Sequence, residues 1–124
     1  HFQLTGALRF DTRSAKPPEG GFILHLGFVD QKRYVSLHLP IEKDVFEVWR
    51  CTPEGFSCEL RLDQSRLAVG EIARFSLSRR GAELSFALGD RDLLRSYPLR
   101  GLDGALGLTA KYRKLTLWLD GRGG

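Results

Sequence analysis

Histidine, tyrosine and serine recur at alternate positions in GFILHLGFVDQKRYVSLHL, residues 21–39. His25, Tyr34, Ser36 and His38 are the first groups in the chain whose types and spacing suit chemistry. Imidazoles titrate near neutral pH and can pass protons. Set beside a phenol and a hydroxyl, they can equally orient a polyhydroxylated ligand by hydrogen bonds while the ring covers its C–H face. Arg74, Ser76 and Ser85 form a second polar set in ARFSLSRRGAELSFALGD, residues 73–90. Trp118 adds an outward aromatic near the C-terminal end.

Both cysteines fall in RCTPEGFSCEL, residues 50–60. A hairpin turning through Thr52 to Ser57 sets Cys51 opposite Cys58, Trp49 opposite Leu60 and, on the reverse face, Arg50 opposite Glu59. Directly opposed cysteines of that kind can bridge, so a disulfide is expected and with it an oxidising, extracytoplasmic or secreted setting. Reduced packing cysteines are the alternative. Metal binding is disfavoured because no CxxC, HxH or HExxH spacing accompanies the pair.

These residues must be carried by strands, because apolar positions alternate along nearly the whole chain and helical periodicity is almost absent. Phe2, Leu4, Leu8 and Phe10 share one face of a first strand. Further strands are expected at 22–29, 33–41, 45–51, 56–62, 72–79, 83–88, 105–109 and 112–119, with a Pro- and Gly-rich loop at 14–21. A turn at Gln31 and Lys32 pairs Phe28 with Val35, Leu26 with Leu37, Leu24 with Leu39, and His25 with His38. A turn at Arg80 and Gly81 pairs Phe75 with Phe86 and Leu77 with Leu84. A turn at Glu42 and Lys43 sets Ser36 against Trp49 and His38 against Glu47, although the Cys51–Cys58 hairpin favours Trp49 as a core residue. In the last strand Leu115, Leu117 and Leu119 should point inward, and Tyr112, Lys114, Thr116 and Trp118 outward.

With 124 residues, the chain fits one antiparallel two-sheet β-sandwich domain spanning residues 1–124. It has no methionine, not even at position 1, and is expected to be an excised part of a longer protein. Its net charge of +4 comes from scattered arginines rather than a basic block, which argues against a nucleic-acid partner. No apolar run reaches the ~18 residues of a membrane span, so membrane insertion is not expected.

Three segments, GFILHLGFVDQKRYVSLHL, ARFSLSRRGAELSFALGD and GALGLTAKYRKLTLWLDG, together resemble the concanavalin A-like lectin and glucanase superfamily, in particular its laminin-G-like jelly-roll modules. The resemblance implies two packed antiparallel sheets and a glycan or polysaccharide as partner. Many laminin-G-like modules take calcium as a cofactor through loop carboxylates, for which Asp30, Asp63, Asp90, Asp92 and Asp103 are the acids near strand ends; without a DxDxDG-like loop the favoured reading of each is an ordinary turn residue. The superfamily's glucanases carry a Glu-x-Asp-x-x-Glu strand, and neither Glu42, Asp44 and Glu47 nor Asp90 and Asp92 reproduces it. The expected function is a non-catalytic carbohydrate-binding module of a larger secreted or surface protein, its ligand-binding set being His25, Tyr34, Ser36, His38, Arg74, Ser76, Ser85 and Trp118. One alternative is a protein-interaction or adhesion domain that presents Trp118 and Tyr112 to a neighbouring domain. Another is a glycoside-processing enzyme using His25, His38 and Glu47, a reading kept open by the resemblance to bacterial proteins of keto-glycoside hydrolysis.

Overall fold

A computed structural model of the chain describes residues 2–12, 21–40, 43–102, 104–111 and 114–120. The strands are β1 (Phe2–Phe10), β2 (Gly21–Asp30), β3 (Arg33–His38), β4 (Val45–Thr52), β5 (Gly55–Asp63), β6 (Ile72–Arg80), β7 (Glu83–Leu88), β8 (Arg91–Pro98), β9 (Gly104–Lys111) and β10 (Leu115–Leu119). They form two antiparallel five-stranded sheets, ordered β10-β1-β6-β7-β8 and β5-β4-β3-β2-β9. The expected β-sandwich is what forms. Its core is the meeting of the two inner faces, where Phe46 of β4 stacks on Phe86 of β7 with ring centroids 5.8 Å apart. Leu8 and Phe10, Leu24 and Leu26, Val35 and Leu37, and Leu77 and Leu84 fill the space around them. The first three pairs are each two residues apart on one strand, which is the period that puts side chains on one face, and Leu77 of β6 and Leu84 of β7 join them from neighbouring strands.

β8 is absent from the sequence-based expectation. In RDLLRSYP the neighbours Leu93 and Leu94 are both buried, its ladder with β7 is irregular, and Ser96 has φ 53°. A strand with such an irregularity loses the two-residue alternation by which strands are read. The 14–21 loop, apart from Gly21, and Tyr112 lie outside the described residues. Leu115 and Leu117 do pack on the core, whereas Leu119 at the strand end is exposed.

The hairpin registers differ from expectation in an informative way. Asp30 pairs with Arg33, as a Gln31–Lys32 turn requires, but an irregularity between Leu26 and Asp30 slides the rest so that Leu24 meets Leu37, Leu26 meets Val35 and His25 meets Ser36. His25 therefore does not pair with His38, whose partner on β2 is Ile23. Gly27, at φ 60°, makes the bend, and a Cβ there would lie 2.4 Å from the Leu102 carbonyl oxygen. In the β6–β7 hairpin, Arg80 pairs with Glu83, so Phe75 meets Leu88 and Leu77 meets Phe86. Both displacements move partners by two residues, which leaves side chains on their own face; the exception is Phe28, expected on the apolar face with Leu24 and Leu26 but turned to the outer face beyond Gly27, where it stacks on Tyr34.

The β4–β5 hairpin corrects the cysteine expectation. Thr52 pairs with Gly55, placing the turn at Pro53 and Glu54, and a bulge follows between Val48 and Trp49. Cys51 consequently faces Phe56, Cys58 faces Trp49, and both thiols are free. β4 itself alternates without interruption, with Phe46, Val48 and Arg50 buried and Glu47, Trp49 and Cys51 on the outer side; the extra residue of the bulge is Glu59 on β5. Trp49 is thus not a core residue.

Arg50 enters the interior, where no charged group was expected. Its Nε donates to Glu59 Oε1 at 2.8 Å, Nη1 to the Leu99 carbonyl at 2.9 Å, and Nη2 to the Pro98 carbonyl at 2.6 Å and to the Tyr97 hydroxyl at 3.3 Å. Tyr97 also hydrogen-bonds Glu59, and Arg100 approaches its other oxygen at 3.7 Å. Arg50 is opposite Ser57 in the ladder rather than opposite Glu59 as expected, but the two side chains still meet, and the network ties β4 and β5 of one sheet to β8 of the other. Removing one member of a buried pair strands the other, so Arg50→Ala should cost about 2–3 kcal/mol, discounted because the Glu59 side chain stays a quarter exposed. In thermal unfolding this reads as a midpoint lowered by about 10 °C. Burial raises the Glu59 carboxyl, but hydrogen bonds from Arg50 and Tyr97 outweigh it and hold the group below its ordinary 4.5. Its stabilising contribution is therefore full above pH 4.5 and is lost as the pH falls through the lower folded-state value. Glu59→Gln should flatten that part of the acid limb relative to the wild-type chain, and an unchanged limb would count against the pairing.

Candidate functional site

The eight residues expected to form one ligand site lie on two opposite surfaces. His25 (β2) and Tyr34, Ser36 and His38 (β3) face outward from the β5-β4-β3-β2-β9 sheet. Arg74 and Ser76 (β6), Ser85 (β7) and Trp118 (β10) face outward from the other sheet. The core separates the two sets, so no single small ligand spans them.

On the first surface a row of rings crosses four strands. Phe28 stacks on Tyr34 at 5.6 Å, and Tyr34 lies 6.3 Å from Phe56. Phe56 stacks on Trp49 at 4.8 Å, and Trp49 lies 6.0 Å from His38. The expected pairs Ser36 with Trp49 and His38 with Glu47 are both present. Phe28, Trp49 and Phe56 were missing from the expected site; the alternation of β4 with Phe46 and Val48 inside was the available signal for Trp49, and the β2 irregularity that turns Phe28 outward leaves no mark in the residue types. Phe56 is 49% exposed, which makes it the open end of the row.

Polar groups border the rings on both sides. His25 Nε2 is 3.0 Å from Thr109 Oγ1 and its Nδ1 is 3.2 Å from Ser36 Oγ, so the imidazole is held edge-on between β3 and β9. Its ring stands at 81° to that of Tyr34. Across the row, Arg61 Nε and Nη2 both donate to Glu47 Oε2, at 2.8 and 2.5 Å. The Cys58 thiol lies 3.4 Å from the Leu60 carbonyl, and the Cys51 thiol 3.8 Å from the Gln31 carbonyl. Burial raises the Tyr34 hydroxyl above its ordinary value, with the neighbouring Cys51 adding to the effect. The surface thus offers flat apolar faces beside donors and acceptors held in place, with no open nucleophile–base pair: His25 is occupied by hydroxyls, and His38 is separated from it in the ladder.

The opposite surface is built differently. Arg74 Nη2 reaches both Asp120 oxygens at 3.0 and 3.3 Å, and Thr5 Oγ1 donates to Asp120 Oδ2 at 2.6 Å. With Ser76, Gln64, Asp90 and Arg91 they border an open hollow of about 870 Å³. Ser76, Ser78 and Ser85 border a shallower one of about 290 Å³, where Ser85 Oγ accepts from the Ser96 amide at 3.2 Å. Trp118 lies at the sheet edge, its ring 5.2 Å from the Arg9 guanidinium, and borders neither hollow.

Calcium takes about six to eight oxygens from converging groups. Among the described residues no three His, Cys, Asp or Glu side chains come together. Asp30 is used by the Lys32 amide and Arg33, and Asp92 by Arg95; Asp103 lies outside the described residues. The donor set described does not fit the ion.

No protein-family model and no curated protein matches the chain. Solved structures do. The carbohydrate-binding module CBM66 from Bacillus subtilis superposes with a TM-score of 0.71 at 13% identity, covering 94% of this chain and 70% of that one. A double mutant of congerin II superposes at 0.65 with 15% identity, covering 96% and 90%. An ancestral congerin gives 0.59 at 15%, covering 96% and 89%. At such identities the likeness is one of fold, and the fold is a lectin-like β-sandwich.

Burial lowers the His25 imidazole below its ordinary 6.5. A group whose neutral form is favoured by folding adds stability that is full above pH 6.5 and declines as the pH falls toward the folded-state value. A proton NMR titration should therefore place the His25 midpoint below that of an imidazole in the unfolded chain; a midpoint at or above 6.5 would contradict the burial described.

Proposed function

We propose that the chain is a glycan-binding module whose site is the outer surface of the β5-β4-β3-β2-β9 sheet. The observation that carries this is the ring row from Phe28 to His38, bordered by His25–Ser36–Thr109 on one side and Glu47–Arg61 on the other. Sugars present patches of C–H to aromatic faces and hydroxyls to fixed donors and acceptors at their rims. The carbohydrate-binding role named for the Bacillus subtilis neighbour supports the reading from outside. Trp49 Nε1 is buried without an acceptor among the described residues, a cost of about 1–3 kcal/mol that is usual at functional positions rather than in packed cores. The ligand set becomes His25, Tyr34 and His38 with Phe28, Trp49 and Phe56 added, while Ser36, buried beneath them, holds His25. Arg74, Ser76, Ser85 and Trp118 are left out of it.

The reading is of binding without turnover. Glu47 is committed to Arg61, and His25 is a neutral hydrogen-bonding group above pH 6.5 rather than an acid poised beside a carboxylate. The finer laminin-G-like assignment rests on the sequence patterns alone. An extracytoplasmic setting as part of a larger secreted or surface protein stays within the proposal, but its argument from a Cys51–Cys58 bridge is withdrawn. Calcium has no role in it. The exposed edge at Trp118 supports the protein-interaction reading, which accounts for neither Trp49 nor the His25 network.

A glycan array probed with wild type, Trp49→Ala and Trp118→Ala separates these readings. Selective binding should fall by about tenfold or more in Trp49→Ala, since an aromatic contact carries its buried area and a stacking term, and should persist in Trp118→Ala and in chelator. A blank array from folded protein would refute the glycan reading. Loss of binding in Trp118→Ala alone would move the site to the other sheet.

A further inference from the structure

At the β9 edge the ring row runs into a pocket of about 330 Å³ between β2, β3 and β9. It is lined by Phe28, Tyr34, Ala105, Leu106 and Gly107, with His25, Gln31 and the Tyr34 hydroxyl as its hydrogen-bonding groups. The pocket exists because of two small residues. In the β2–β9 ladder His25 is opposite Gly107 and Phe28 is opposite Ala105, so the edge strand raises almost nothing beside the aromatic rings. Phe28 and Leu106 are 37 and 40% exposed, apolar surface left open to water beside the polar border of the proposed site.

We propose that this pocket is a subsite for an aromatic substituent carried by the bound sugar, so that the module prefers aryl glycosides to unsubstituted ones. The inference rests on the glycan reading, because Tyr34 and His25 belong to both the platform and the pocket. A sugar lying on the Trp49–Phe56–Tyr34 row directs one of its substituents over Tyr34 toward β9. Ligand pockets begin at roughly 300 Å³, so the space takes one ring and its linking atom and leaves the saccharide outside on the platform. A flat group suits it better than a flexible chain: the Phe28 and Tyr34 rings lie within 26° of parallel and present their faces and edges to a planar guest, for which aromatic pairing adds to area burial. His25 stands where the glycosidic oxygen of such a ligand would pass.

Gly107 gives the test its handle. No positive φ restricts it, and a Cβ built there would sit 3.7 Å from His25 Cβ and 4.0 Å from Cδ2, in ordinary contact. Gly107→Val therefore fills the pocket in a residue suited to a strand and should leave the melting temperature equal or higher. The probes are the methyl, phenyl and octyl glycosides of glucose, galactose, mannose and N-acetylglucosamine in both anomers, with phenol as the free ring, titrated calorimetrically into the intact chain. For at least one sugar the phenyl glycoside should bind about tenfold more tightly than the methyl glycoside, as burial of one ring predicts, and Gly107→Val should collapse that ratio to about twofold or less. Phe28→Leu, which removes one ring of the pocket lining, should shrink it in the same direction by a different route. Equal binding of methyl and phenyl glycosides would overturn the subsite while leaving the glycan reading intact. A ratio untouched by both substitutions, tighter binding of octyl than phenyl, or phenol binding as well as its glycosides would also overturn it. Failure of every glycoside to bind would overturn both.

Discussion

A guanidinium in the interior of an otherwise apolar sandwich constrains everything around it. Arg50 can be buried only if its donors are met, and the acceptors come from three places: Glu59 on the neighbouring strand, Tyr97 on the opposite sheet, and the carbonyls of Pro98 and Leu99 at the start of the β8–β9 connection. Satisfying them fixes how the β5 edge sits over β8 and where the chain crosses between sheets. The desolvation of an ion is repaid only by such complete hydrogen bonding. The inward turn of Arg50 also requires that its neighbours Trp49 and Cys51 turn outward, since successive strand residues face opposite ways. The aromatic surface is thus the other side of the buried charge.

The two outer surfaces of the sandwich have the same backbone and different chemistry. One presents rings bordered by short hydrogen bonds; the other presents ion pairs, serines and open hollows. Both are polar alternations in sequence, and a half-buried antiparallel sheet is expected to be wet on one side. What distinguishes them is aromatic content brought together across strands, with Phe28, Tyr34, Phe56, Trp49 and His38 drawn from β2 through β5. The β9 edge extends the contrast, because glycine and alanine opposite His25 and Phe28 leave a gap where larger residues would have closed the surface.

Much of the fold was legible. Alternation located nine of the ten strands and assigned the faces of β6 and β7 correctly even where partners were displaced by two, because such a slide preserves the face. The Ser36–Trp49 and His38–Glu47 pairs were legible for the same reason, from one regular ladder. The Cys51–Cys58 bridge and the inward Trp49 were misread together, since both rested on a loop wider than the Pro53–Glu54 turn. The tight turn sets the cysteines past each other, and Trp49 faces outward by the plain alternation of β4 with Phe46 and Val48 inside. β8 escaped because its consecutive buried leucines and the positive φ of Ser96 erase the period that marks a strand.

The sequence by itself determined that this chain makes an antiparallel sandwich, and which side chains of each regular strand share a face, because apolar periodicity is a local property that burial must respect. It placed His25, Tyr34, Ser36 and His38 together on one surface. Only the tertiary structure decided that Arg74, Ser76, Ser85 and Trp118 lie on the far side, that Trp49 and Phe56 complete the ring row, and that Arg50 bridges the sheets. Sheet membership, bulges and the partners of a buried charge are set by contacts between residues distant in the chain, and no local pattern of residue types encodes them.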